Sequence, residues 1–163
     1  MVAKTKAEKV PLVARVGAAY TSDILKLGFR ALGLEYNGNY AIDVSQGITT
    51  PTPANIPWSH GLFMSVVWAL IAVGIAYLVY RDRRTAAIVG GVVISHWFLD
   101  FIVHPPELPL LFAGSPMVGL GLWTTRWGLQ VSAVIETLML ALGLTLYLIH
   151  RKKLTKPGDL QPK

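Results

Sequence analysis

The sequence predicts an all-α protein, a transmembrane bundle of four helices with both termini in the cytoplasm, and three observations carry that prediction. The 163-residue chain is 53% hydrophobic and only 15% charged, with a mean hydropathy of +0.48, the balance of a small polytopic membrane protein. Three apolar runs are long enough, at about 1.5 Å per residue, to cross a hydrocarbon core of roughly 30 Å. Eleven of the fifteen Lys and Arg residues fall in residues 1–10, in Arg81–Arg84 and from Arg151 onward, leaving 31–61 and 104–125 with none. That asymmetry puts every basic segment on the cytoplasmic side, as the positive-inside rule asks.

The first span is the least regular. Pro11–Leu34 (PLVARVGAAYTSDILKLGFRALGL) carries Arg15, Ser22, Asp23, Lys26 and Arg30 on one helical stripe, which suits a helix lying flat on the surface or one crossing with that stripe turned to its neighbours. Charge favours crossing, because a flat helix would strand one basic segment on the wrong side. The second span, Leu62–Tyr80, is uncharged throughout. The third, Thr85–Val103, and the fourth, Leu129–Ile149, match it in length but carry His96, Asp100 and Glu136. Tyr36, Tyr40, Trp58, Trp123 and Trp127 would border the outer face, and Tyr77, Tyr80 and Tyr147 the inner, as interfacial belts do. Gly74, Gly90, Gly91 and Gly143 remove side chains where helices pack.

The connections follow from composition. Glu35–His60 is rich in Pro, Thr, Asn and Gly and reads as an outer loop, while residues 104–123, with four prolines, are apolar enough to fold back onto the bundle as a lid or by simple interfacial packing. Residues 1–153 form a single membrane domain and 154–163 a disordered tail. MVAKTKAEKV at the start is too polar for a cleavable signal. A multi-pass protein of the cytoplasmic membrane is the expected localisation.

Several function classes drop out. The net charge of +6 sits in clusters flanking apolar runs, where it sets topology and not nucleic-acid binding. There are no cysteines, so a metal would need imidazole and carboxylate ligands. Neither a serine nucleophile elbow, a phosphate-binding loop nor a dinucleotide fingerprint is present.

One stretch resists a purely structural reading. In SHWFLDFIVH (residues 95–104), His96, Asp100 and His104 recur every four residues and so share one helix face, about 6 Å apart in successive steps. In the four-span arrangement His60 opens the second helix at the outer edge. Glu136 lies about 10 Å and Asp23 about 16 Å from the outer ends of their helices. Ionisable groups within a bilayer cost a few kcal/mol each and turn inward to meet partners, so a shared pocket opening outward would satisfy all of them. Asp23, His60, His96 and Asp100 are the candidate metal ligands, with zinc the best match to two imidazoles and a carboxylate. Glu136 is the candidate general base, or else a hydrogen-bond partner of Ser132. His104 is a catalytic residue or further ligand at the mouth, or only a residue starting a loop. An Asp100–His96 pair that merely locks helices together is the competing explanation.

The order of SDILKLGFRALGLE (Ser22–Glu35), PWSH (Pro57–His60), SHWFLDFIVHPPELPL (Ser95–Leu110), GLGLW (Gly119–Trp123) and Glu136 resembles a group of small bacterial membrane proteins known as membrane-bound metal-dependent hydrolases or permeases. The likeness spans roughly residues 20–150 and implies a polar signature of Asp23, His60, His96, Asp100 and His104. The chain departs from the group at its start, where members carry an apolar segment containing Gly-His and this one reads MVAKTKAEKVPLVARVG. Three readings follow: a membrane-embedded metal-dependent hydrolase acting on a lipid-like substrate, a non-catalytic subunit assembled with other membrane proteins, and a transporter or proton pathway. The last ranks third because four helices without an inverted repeat leave little room for alternating access.

Overall fold

The computed structural model describes residues 12–43, 45, 47–52, 54–112 and 114–154. The basic segment 1–10 and residues 155–163 of the tail expected over 154–163 lie outside the described residues, while Leu154 still belongs to the last helix. The described chain is mostly helical, and three of its helices are long and apolar enough to cross a membrane: Leu62–Tyr80, Arg83–Val103 and Arg126–Ile149.

The centre of the fold is the hairpin of α4 (Leu62–Tyr80) and α5 (Arg83–Val103), the most extensively packed pair of elements. α4 has the bounds read from its uncharged run. The turn between the helices is built from two caps. Arg81 ends α4 in the left-handed region at φ +54°, and Asp82 opens α5 by accepting from the Thr85 backbone N–H and hydroxyl at 2.8 and 2.6 Å.

Close contact between the two helices depends on Gly90. A Cβ there would lie 2.4 Å from Val73 Cγ2 and 3.1 Å from the Ala69 carbonyl oxygen, whereas one at Gly91 meets nothing within 4 Å. Gly90→Ala is therefore expected to cost about 1–3 kcal/mol through overpacking, and Gly91→Ala to be neutral or slightly stabilising through helix propensity. Thermal unfolding of the two variants in detergent checks this, since equal midpoints would remove the distinction.

In place of one helix over 11–34 there are two, α1 (Leu12–Ala19) and α2 (Thr21–Ala31), broken at Tyr20. Backbone bonds from Tyr20 N–H to the Val16 carbonyl and from Ile24 N–H to the Tyr20 carbonyl, both 3.0 Å, carry the ladder across the break, while the Thr21 hydroxyl donates to the Gly17 carbonyl. A side chain bonded into the ladder beside a glycine is a recognised cause of such a bend. α2 then stops in a Schellman motif: Gly33 takes φ +72°, and the Leu34 N–H reaches back to the Phe29 carbonyl at 2.9 Å. α1 lies against α5, and α2 against α5 and the short helix α3 (Pro57–His60).

The long connections hold structure that composition did not announce. β1 (Asn39–Asp43) and β2 (Gly47–Thr52) form an antiparallel hairpin, and β3 (Leu108–Pro109) pairs with β4 (Met117–Val118). Leu108 and Val118 of the second hairpin close a small core with Ala54, Ile56 and Phe101. This core covers the end of the hairpin where α4 begins and α5 finishes. A 3₁₀ turn, Leu122–Thr124, leads into α6 (Arg126–Leu154), which packs on that turn and on β2 and is exposed along most of its length.

Candidate metal centre

Three elements deliver side chains to one point. α3 supplies His60, α5 supplies His96 and Asp100 from successive turns, and α2 supplies Asp23. His60 Nε2 lies 3.7 Å from Asp23 Oδ1 and 3.5 Å from Asp100 Oδ2; His96 Nε2 lies 3.7 Å from Asp23 Oδ2 and 3.3 Å from Asp100 Oδ2. The ligand atoms of Asp23, His60 and His96 all fall within 4.8 Å of one another. With Asp100 beside them, these are the four candidate ligands singled out in the sequence. His60 is 3% exposed and Asp23 46%, so the cluster has a closed floor and an open rim.

Each histidine is fixed through its other nitrogen. His96 Nδ1 faces the Ala19 carbonyl at 2.9 Å. A carbonyl oxygen only accepts, so Nδ1 carries the hydrogen. That carbonyl is available because α1 ends at Ala19, among the last-turn acceptors that lack a partner within their own helix. His60 Nδ1 faces the Ser59 hydroxyl at 2.7 Å, and that hydroxyl donates to Glu35 Oε2 at 2.7 Å. Having one hydrogen, Ser59 must accept from His60 Nδ1. In their neutral form both imidazoles therefore present Nε2 lone pairs to a spot that two carboxylates also face.

Four acceptors facing one spot repel one another unless a cation or hydrogen-bond donors come between them. Two added protons would do it, but the separations of 3.3–3.7 Å exceed ordinary hydrogen bonds, and buried Asp100 Oδ2 has no hydrogen-bond partner. Ligand atoms about 2.0–2.1 Å from a tetrahedral zinc lie roughly 3.3–3.5 Å from one another; the four His–Asp separations run from 3.3 to 3.7 Å, and Asp23, His60 and His96 lie within a looser 4.8 Å of one another. The residues fit a divalent metal by donor type, by tautomer and by distance.

The surrounding shell is strongly built. Glu35 is buried and accepts from the Trp58 and Ser59 backbone N–H groups at 2.8 Å each, so its carboxylate caps α3 as well as steering His60 through Ser59. Trp97 Nε1 donates to the His60 carbonyl at 2.9 Å and Trp68 Nε1 to the Trp58 carbonyl at 2.7 Å. Gly61 allows this packing, for a Cβ there would sit 2.4 Å from the Pro57 carbonyl oxygen.

His104 and Glu136 are placed elsewhere. His104 Nδ1 meets Glu107 Oε1 at 2.7 Å, and its ring lies 4.8 Å from that of Trp123. Glu107, 1% exposed, also accepts from the Tyr40 hydroxyl at 3.0 Å and the Ala54 N–H at 3.5 Å, which ties the β1–β2 hairpin to the loop after α5. Glu136 is exposed on α6 and makes no hydrogen bond or ion pair among the described residues, and the Ser132 hydroxyl, its expected alternative partner, is buried without one. Sequence reasoning passed over Glu35 and Glu107, although each is a lone carboxylate in an apolar stretch (LGLEY and PPELPL).

Burial opposes ionisation of Glu107, but the hydrogen bond and charge of His104, with the Tyr40 and Ala54 donors, outweigh it and hold the carboxyl below its ordinary range. Burial first, then the charge and hydrogen bond of Glu107, pushes the Tyr40 phenol up. A glutamate that titrates lower folded than unfolded stabilises the fold fully above the ordinary glutamate range, and that contribution is lost as pH falls through the depressed value. Unfolding followed against pH should therefore show an acid-side decline that Glu107→Gln flattens, and an unchanged decline in that variant would exclude Glu107 as its source.

No family model matches the chain, and no curated protein or solved structure matches it.

Proposed function

We propose that the chain is a multi-pass protein of the cytoplasmic membrane that binds one divalent metal, zinc by its donor set, at Asp23, His60, His96 and Asp100 and hydrolyses an amphiphilic substrate there. The observation that carries this reading is the pair of imidazoles whose tautomers, set by Ala19 and by Ser59–Glu35, leave four acceptors facing one point. A divalent ion held by these residues would supply acidity to water and polarise a substrate oxygen. Four protein ligands would fill a tetrahedral ion; Asp23, at the open rim where substrate and water arrive, is the one that would yield its position to water and then take the proton. His60, His96 and Asp100 hold the floor and exclude water from it. The resemblance in motif order points to the same class.

In this reading α1 and α2 together make the first of four crossings, both termini are cytoplasmic, and the centre belongs to the outer half of the bilayer. The distribution of Lys and Arg supports that orientation. A second reading, a non-catalytic subunit of a larger complex, draws on α6, whose exposed apolar length is a surface for neighbouring proteins as well as for lipid.

Protein reconstituted in vesicles and offered a panel of amphiphilic esters and phosphoesters distinguishes the two. Hydrolysis that stops on chelation, returns with zinc and falls at least about 100-fold in Asp23→Asn is expected for the enzyme. Hydrolysis indifferent to chelation, or recovery in fixed stoichiometry with a larger complex and no turnover, would overturn it.

A further inference from the structure

A crevice of about 250 Å³ separates α1 from the α4–α5 hairpin. Ala14 and Ala18 on α1, Ala72 and Ala76 on α4, and Val89 and Val93 on α5 wall it. Small side chains on two of the three helices open a slot between elements that otherwise touch. Its polar lining is slight: Thr21 at one end has already committed its hydroxyl to the Gly17 carbonyl, and Tyr80 marks the other end. Nothing inside would compensate a polar ligand for its lost water, so the occupant is aliphatic.

Position identifies where that occupant comes from. The walls belong to two of the helices long and apolar enough to cross a membrane, and Ile75 and Val79, which flank the slot, are exposed. The crevice therefore opens sideways, toward lipid. From Ala72 to Tyr80 it runs about 12 Å along α4, and its volume lies below the roughly 300–1,000 Å³ of pockets for drug-sized molecules. One extended chain fits its length and width. Its upper end adjoins the metal centre: Ala18 precedes the Ala19 whose carbonyl holds His96, Thr21 is two residues from Asp23, and Val93 is one turn from His96.

We propose that this crevice binds a single aliphatic chain of a membrane amphiphile, with the polar end at the Asp/His centre, so that the substrate is a lipid or lipid-linked molecule entering sideways from the bilayer. The assignment of the chain to a substrate rests on the hydrolytic reading of the centre; the binding of a chain does not. Loading follows from geometry: the slot opens toward lipid past Ile75 and Val79, and Ala18, Thr21 and Val93 at its upper end are close in sequence to the residues of the centre.

The test uses palmitate carrying a mid-chain diazirine, added to the full-length protein in vesicles of phosphatidylethanolamine and phosphatidylglycerol, with labelled residues mapped by mass spectrometry and bound metal measured alongside. Labelling several-fold higher on crevice residues than on lipid-facing Leu70 and Leu78 is expected, with competition by unlabelled palmitate. Ala76→Phe and Ala14→Phe fill the slot from opposite walls, so that a folding defect in one leaves the other to report. Each should abolish the enrichment and leave metal content unchanged. Equal labelling of the crevice and of Leu70 and Leu78, enrichment that survives both fillings, or a crosslink to a second copy would overturn the proposal. Enrichment in a protein that binds no metal would overturn the link to a substrate and leave a lipid site.

Discussion

His96→Ala is expected to empty the metal centre, lowering bound zinc from one per chain to background. The variant removes the lone pair nearest Asp100 Oδ2, at 3.3 Å, and leaves that buried oxygen facing His60 alone. Losing a residue that only supports a metal ligand weakens affinity about 10–100-fold, and losing a ligand should exceed that. Asp100→Asn is the companion, preserving volume while removing the charge. Metal analysis of both beside the wild type separates the accounts. If the pair only locks helices together, unfolding shifts but no metal disappears, because none was bound.

Glu35→Ala should produce the largest change outside the ligands themselves. The carboxylate accepts two backbone N–H groups at the start of α3 and the Ser59 hydroxyl, all poorly hydrated. Hydrogen bonds to a charged group contribute about 1.5–3 kcal/mol each, and buried donors left unmade carry a further cost. A loss of about 3 kcal/mol or more is expected from unfolding in detergent. Freed from Glu35, the Ser59 hydroxyl no longer has a fixed acceptor, His60 loses its enforced tautomer, and zinc affinity should fall about 10–100-fold. Glu35→Gln is intermediate, since its amide oxygen still accepts from the backbone while its nitrogen cannot accept from Ser59. Equal zinc affinity in all three proteins would show that the relay through Ser59 does not govern the centre.

What could be read in the sequence was set by local rules. The 19 uncharged residues of α4 leave no other element for them to form, and the four-residue spacing of His96 and Asp100 fixes a common face once α5 is helical. Asp23 and His60 were selected by chemistry, as ionisable groups beside apolar runs, and the fold brings them to the same point. What could not be read depended on contacts distant in sequence. The break at Tyr20 shows in the chain only as an unremarkable AAYTS, yet it provides the carbonyl that orients His96, 77 residues away. His104 keeps the spacing of His96 and Asp100, but α5 ends at Val103, so the residue turns instead to Glu107 in the following loop. Depth, carboxylate chemistry and the resemblance single out Glu136, and none of them reports which way a helix faces; on α6 it is exposed. The two β-hairpins are short, and Pro and Thr in the connections concealed them.

The most direct test of the account is metal analysis of wild-type protein, purified without chelators and then titrated with zinc, combined with X-ray absorption at the zinc edge. One zinc per chain is expected, in an all nitrogen and oxygen environment with the multiple-scattering signature of two imidazoles. A protein that carries no zinc above background and takes up none on titration would contradict it, leaving Asp23, His60, His96 and Asp100 as a polar clasp between helices.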